Sequence, residues 1–159
     1  MVQKVLPSAP KTHEEALDAC AADGASLPKL LTKDDTVALK HYMDNNNFIV
    51  VWTSLLKVNT TIACADQTCD GLVEWAGGPA FAFDVSIHKG VTVNSNDKAS
   101  CFRFRGDLDK LDDVQCANSY AVICQFTPSH VPSDYELRNG KYYKVLDLIQ
   151  CYVKVISTV

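Results

Sequence analysis

The chain has 159 residues, the length of one domain with a short appendage. At 47% hydrophobic and 21% charged residues it has the composition of a globular protein with a core of its own. A net charge of −4, with Lys and Arg scattered rather than run together, excludes a phosphate-tracking surface and therefore a nucleic-acid partner.

The first helix is expected over residues 12–23. Thr12 can cap it, Glu15 sits where a capping box needs a carboxylate, and Ala16, Leu17, Ala19 and Cys20 form an apolar stripe. Gly24 is a natural stop. A second helix is expected at 33–44. Thr32 is its cap, Asp34 and Asp35 favour the positive end of its dipole, and Asn45-Asn46-Asn47 ends it. Phe48 to Leu56 is rich in β-branched and aromatic residues and reads as a buried strand. Leu72 to Trp75 reads as a short strand before a turn at Gly77-Gly78-Pro79. From Phe83 to Ser100 no clear period holds, and a loop of that length inside a domain is often functional. Cys101 to Arg105 and Tyr120 to Phe126 read as strands. On the first, Phe102 and Phe104 alternate with Arg103 and Arg105, which implies one buried and one wet face. Residues 127–134 have the composition of a linker, and 135–159 form a β-prone tail too short to be a domain. Within that tail Tyr143-Lys144-Val145-Leu146 echoes Gln3-Lys4-Val5-Leu6, as if a second, tandem copy began there.

Seven cysteines are many for a chain of this length. They include no CxxC pair, and the four histidines include no HxxxH pair, so zinc spacing is absent. Disulfides in an extracellular compartment are the better explanation. The sequon Asn59-Thr60-Thr61 fits that compartment, with Asn59 the glycosylation acceptor. The opening residues lack the apolar core of a signal peptide, and no stretch is apolar for long enough to insert as a membrane helix. Enzyme signatures are missing as well. His13-Glu14-Glu15 is not a metalloprotease motif, and there is no GxSxG, P-loop or dinucleotide fingerprint. Asp107, Asp109 and Asp112 lack the Gly and final Glu of an EF-hand. No catalytic residue is assigned.

Five segments in order carry a resemblance. These are HEEALDACAADGASLPKL from His13, Val51-Trp52-Thr53-Ser54-Leu55, LVEWAGGPAFAF from Leu72, CFRF followed by LDDVQC, and YAVICQF. Together they resemble the C-type lectin-like domain over about residues 2–126. The resemblance implies an α+β fold: two helices on small antiparallel sheets, a long loop region and a disulfide-stapled frame. It implies bridges Cys20–Cys124 and Cys101–Cys116, with Cys64–Cys69 as an extra local bridge and Cys151 left over. Trp52, Trp75, Phe81 and Phe83 fall on core positions of the family.

Sugar-binding members of this family hold calcium in the long-loop region, and calcium asks for six to eight oxygen ligands. The family's WND tripeptide corresponds here to Leu111-Asp112-Asp113, which keeps oxygen donors at Asp112 and Asp113. Its EPN or QPD tripeptide corresponds to Val91-Thr92-Val93, and its acidic position before the cysteine to Ala99. A shift of the loop brings Asn94, Asn96 or Asp97 into play instead. Three outcomes stay open: the usual calcium–sugar site, a rearranged site using Asp97, Asp112 and Asp113, or a strand end whose aspartates face water beside Asp107 and Asp109. The resemblance thus implies a secreted, non-enzymatic module (residues 1–126) that binds a glycan through its long-loop face. The alternative is a calcium-independent, protein-binding member of the same family.

Overall fold

Thr12 and Thr32 start the two helices in the same way. Thr12 Oγ1 accepts from the Glu15 backbone N–H while Glu15 Oε2 accepts from the Thr12 N–H. Thr32 and Asp35 repeat the exchange. Two orphan donors are satisfied at each start, so helix α1 runs His13–Ala22 and helix α2 runs Lys33–Asn45. Gly24 takes φ +69° just beyond α1, and Asn47 takes φ 58° just beyond α2. Both are residue types that tolerate the left-handed region.

These features come from a computed structural model, which describes residues 2–5, 9–59, 61–65, 68–76, 83–94, 98–126, 135–138 and 141–144. Its strands are β1 Val2–Val5, β2 Val50–Lys57, β3 Cys64–Ala65, β4 Val73–Trp75, β5 Val91–Val93, β6 Cys101–Arg105, β7 Lys110–Val114, β8 Ile123–Phe126, β9 Tyr135–Arg138 and β10 Lys141–Lys144. A six-stranded sheet has the order β3-β5-β7-β6-β2-β4, β1 pairs with β8, and β9 pairs with β10.

The larger sheet is mostly antiparallel, as expected, with one parallel pair. β5 runs parallel to β7, with Val91 opposite Leu111 and Thr92 opposite Asp112. The segment read as an irregular loop therefore contains a 3-10 turn at Val85–Ile87 and a strand. β7 lies in a stretch read only for its aspartates. It is held by an unbroken antiparallel register against β6, from Cys101↔Val114 to Arg105↔Lys110.

The core has two parts. One lies around the larger sheet and α2 and includes Leu39, Met43, Trp75, Phe102 and Phe104. The other packs Ala16 and Leu27 against Trp52 and the cysteines. Cys20–Cys124 joins α1 to β8, Cys101–Cys116 closes the hairpin of β6 and β7, and Cys64–Cys69 closes a short loop. All three bridges agree with the pairing that the resemblance implies. Trp52, Trp75 and Phe83 are buried, as expected of core positions. Phe81, Gly77-Gly78-Pro79, the linker 127–134 and Cys151 lie outside the described residues.

Candidate ligand face and its ion pairs

β7 brings Asp112 and Asp113 to neighbouring positions, and adjacent residues of a strand face opposite sides of a sheet. The two carboxylates therefore meet different partners. Asp113 Oδ2 lies 3.0 Å from Lys57 Nζ, and neither side chain reaches solvent. Both oxygens of Asp113 accept from the Asn94 backbone N–H at 3.0 Å, and Oδ1 also accepts from Asn94 Nδ2 at 2.8 Å. Lys57 Nζ in turn donates to the Asn94 carbonyl at 2.8 Å. The end of β2, the middle of β7 and the residue after β5 are thus tied together by one buried cation.

Asp112 is held differently. Arg103 stands directly opposite it in the β6–β7 register and donates Nε to Oδ1 and NH2 to Oδ2, each at 3.0 Å. This is a bidentate fork, the strongest common form of the pair. The third guanidinium direction reaches Tyr120 Oη at 2.9 Å, with the guanidinium carbon 5.3 Å from that ring's centre. Hydrogen bonding to Asp112 raises the Arg103 pKa above its already high ordinary value.

The remaining acids near the β6–β7 turn are also paired. Arg105 donates to both oxygens of Asp107, which holds the Asp107 carboxyl below its ordinary pKa. Lys89 Nζ lies 2.9 Å from Asp109 Oδ2. Phe102 and Phe104 are buried while Arg103 and Arg105 are half-exposed, as their alternation suggested.

Of the residues expected to meet ligand or calcium, Asn94, Asp112 and Asp113 are described; Asn96 and Asp97 lie outside the described residues. Asn94 and Asp113 come together, whereas Asp112 faces Arg103. Among the described residues, no group of three or more His, Cys, Asp or Glu side chains converges as metal ligands. Each of the two carboxylates on β7 already meets a fixed cation, and a divalent ion would have to displace it.

Lys57 was missed as a functional residue because a lysine closing an apolar run suggests solvent. The available signal was its position. It shares a face with Leu55, and it lies across from Val73.

Asn59 is exposed at a bend after β2, where its Oδ1 accepts from the Thr61 N–H at 3.0 Å and from the Thr61 hydroxyl at 2.9 Å. Among the described residues, no helix is long and apolar enough to cross a membrane.

Comparison with known proteins agrees with this architecture. A calcium-dependent type II antifreeze protein in its calcium-free form matches with a TM-score of 0.55 at 17% identity, covering 77% of this chain and 88% of that one. The C-type lectin domain of murine dendritic cell inhibitory receptor 2, solved in complex with N-glycan, matches with a TM-score of 0.57 at 12% identity, covering 77% and 87%. A calcium-independent type II antifreeze protein matches with a TM-score of 0.50 at 18% identity, covering 74% and 79%. At these identities the likeness is one of fold. No curated protein sequence matches the chain. The sequence profile described as the lectin C-type domain matches residues 9–126, so the chain belongs to the C-type lectin domain family.

Proposed function

We propose that this chain is an extracellular, non-enzymatic recognition module that engages a protein ligand without calcium. The observation that carries the proposal is the buried contact of Lys57 with Asp113 and the Asn94 carbonyl. It places a lysine ammonium where a carboxylate would otherwise attract a metal. Without a metal, vicinal sugar hydroxyls lose the ion that would complete its coordination shell through them. The stacking route to sugars is also closed at both tryptophans, since Trp52 and Trp75 are fully buried. The protein ligand is assigned to the face that carries the described residues Ile87–Asn94.

A glycan ligand is the second reading. It is favoured by the similarity to a lectin domain solved with an N-glycan, and it would require a sugar site built from direct hydrogen bonds. The bridged cysteines and the exposed Asn59 suit a secreted, glycosylated chain. Residues 135–159 are read as the start of a tandem copy after a linker at 127–134, and Tyr143 and Lys144 of the echoed segment do lie in a strand.

The test is to screen the protein against glycan and protein arrays, each with calcium and with a chelator. The proposal expects protein ligands that are retained in chelator. Sugar binding that needs calcium would overturn it.

A further inference from the structure

Trp75, Phe83 and His88 form an aromatic cluster between β4 and the segment leading into β5. The His88 ring stacks on Phe83 with centroids 5.1 Å apart and planes 2° from parallel, and Trp75 lies 6.1 Å from each. Both His88 ring nitrogens are buried and have no hydrogen-bond partner, and Asp109 Oδ1 beside them is buried and unpartnered too. A neutral imidazole tolerates a stack of this kind, whereas an imidazolium has two N–H donors to satisfy.

His88 lies in the segment Asp84–Gly90 that leads into β5, a strand itself fastened between β3 and β7. Val85 N–H donates to Asp70 Oδ1 at 3.0 Å, the Gly90 carbonyl accepts from Leu111 N–H at 2.9 Å, and Asn94 meets Asp113. Several charged groups surround the ring. Asp84 and Asp109 act on it directly, while Lys89 neutralises Asp109 and Lys33 acts on Asp84. Asp70 is engaged by Val85, and the Lys110 stem covers Gly90. The two carboxylates offer an imidazolium partners to which the stacked ring makes no hydrogen bond.

We infer that His88 is an acid-sensitive latch, which when neutral stacks on Phe83 and holds residues 84–90 against the sheet, and when protonated turns toward Asp109 and Asp84 and releases them. The sign follows from proton linkage. Burial lowers the His88 pKa from 6.5 to about 4, against the smaller upward pull of Asp84 and Asp109. The closed form therefore binds fewer protons than the open one. Its advantage is complete above the ordinary histidine pKa and is lost as pH falls toward the lowered value. Across that window the opening equilibrium rises about tenfold per pH unit, the limit for one linked proton. The inference is independent of what the ligand face binds.

Hydrogen exchange at the amides of Val85 and Leu111, corrected for intrinsic rates, is measured between pH 6.5 and 4 together with an NMR titration of the histidine ring protons. The latch predicts protection that falls about tenfold per pH unit at these amides, a flat profile in His88→Phe, and a His88 ring that titrates below the ordinary value of 6.5. Should His88→Phe not fold, His88→Gln takes its place in the exchange measurement. A His88 ring titrating near 6.5 would overturn the latch. So would an unchanged slope in the variant, which would assign the proton to another group such as the buried His13, whose pKa burial also lowers.

Discussion

Lys57 Nζ lies 3.0 Å from Asp113 Oδ2 with both side chains closed to solvent, so one strand end supplies the counter-ion that the neighbouring hairpin needs. A buried pair of this kind adds little net stability over an apolar substitute, but breaking it strands a charge. Lys57→Met should therefore cost about 3–5 kcal/mol in denaturant unfolding. The double variant Lys57→Met with Asp113→Leu should recover most of that loss, because no buried charge is left over. If the double variant were as unstable as the single one, the stranded-charge account would be wrong.

The three bridges should differ in value according to the loops they close. Cys20–Cys124 spans 104 residues, Cys101–Cys116 spans 15 and Cys64–Cys69 spans 5. Chain entropy alone gives about 4.7, 3 and 2 kcal/mol in that order. Paired Cys→Ala variants measured by urea unfolding should follow the same ranking, with the largest effect enlarged by the cavity left at the fully buried Cys20 and Cys124. A larger loss on removing the local bridge than on removing Cys20–Cys124 would contradict it.

The two tryptophans should also respond unequally to Phe. Trp52 Nε1 donates to the Lys11 carbonyl at 2.7 Å, whereas Trp75 Nε1 is buried without a partner. Both substitutions leave a small cavity, but Trp52→Phe also removes a hydrogen bond, the Lys11 carbonyl keeping only its bond from the Tyr120 N–H, whereas Trp75→Phe removes a buried donor that has no partner. Trp52→Phe should cost about 1 kcal/mol more than Trp75→Phe in thermal or denaturant unfolding. Equal losses would mean that the Trp52 hydrogen bond contributes nothing.

Much of this fold was legible in residue order. Thr12 with Glu15 and Thr32 with the acids after it announced both helices, since caps act locally and leave a local trace. The run from Phe48 announced β2, which the structure places at Val50–Lys57. β5 and β7 were harder to see. Val91-Thr92-Val93 is too short for a period to show, and its parallel partner lies across an intervening hairpin. Lys110–Val114 carries two aspartates with low strand propensity, which pairing with β6 overrides.

The candidate face was legible in its residue types and not in its pairing. Asp112 and Asp113 stood out, but their cations come from β6 and β2. No spacing rule connects residues that meet only through sheet topology. His88 was likewise one of four histidines in unrelated contexts until the fold laid it on Phe83.

The most direct test of the central claim is a calcium titration of the native chain by calorimetry, with the thermal midpoint recorded in millimolar calcium and in chelator. Fixed ammonium and guanidinium partners at Asp113 and Asp112 predict no binding heat and the same midpoint in both buffers. A saturable heat, or a midpoint several degrees higher in calcium, would show that a metal takes the place assigned to Lys57 and would contradict the account.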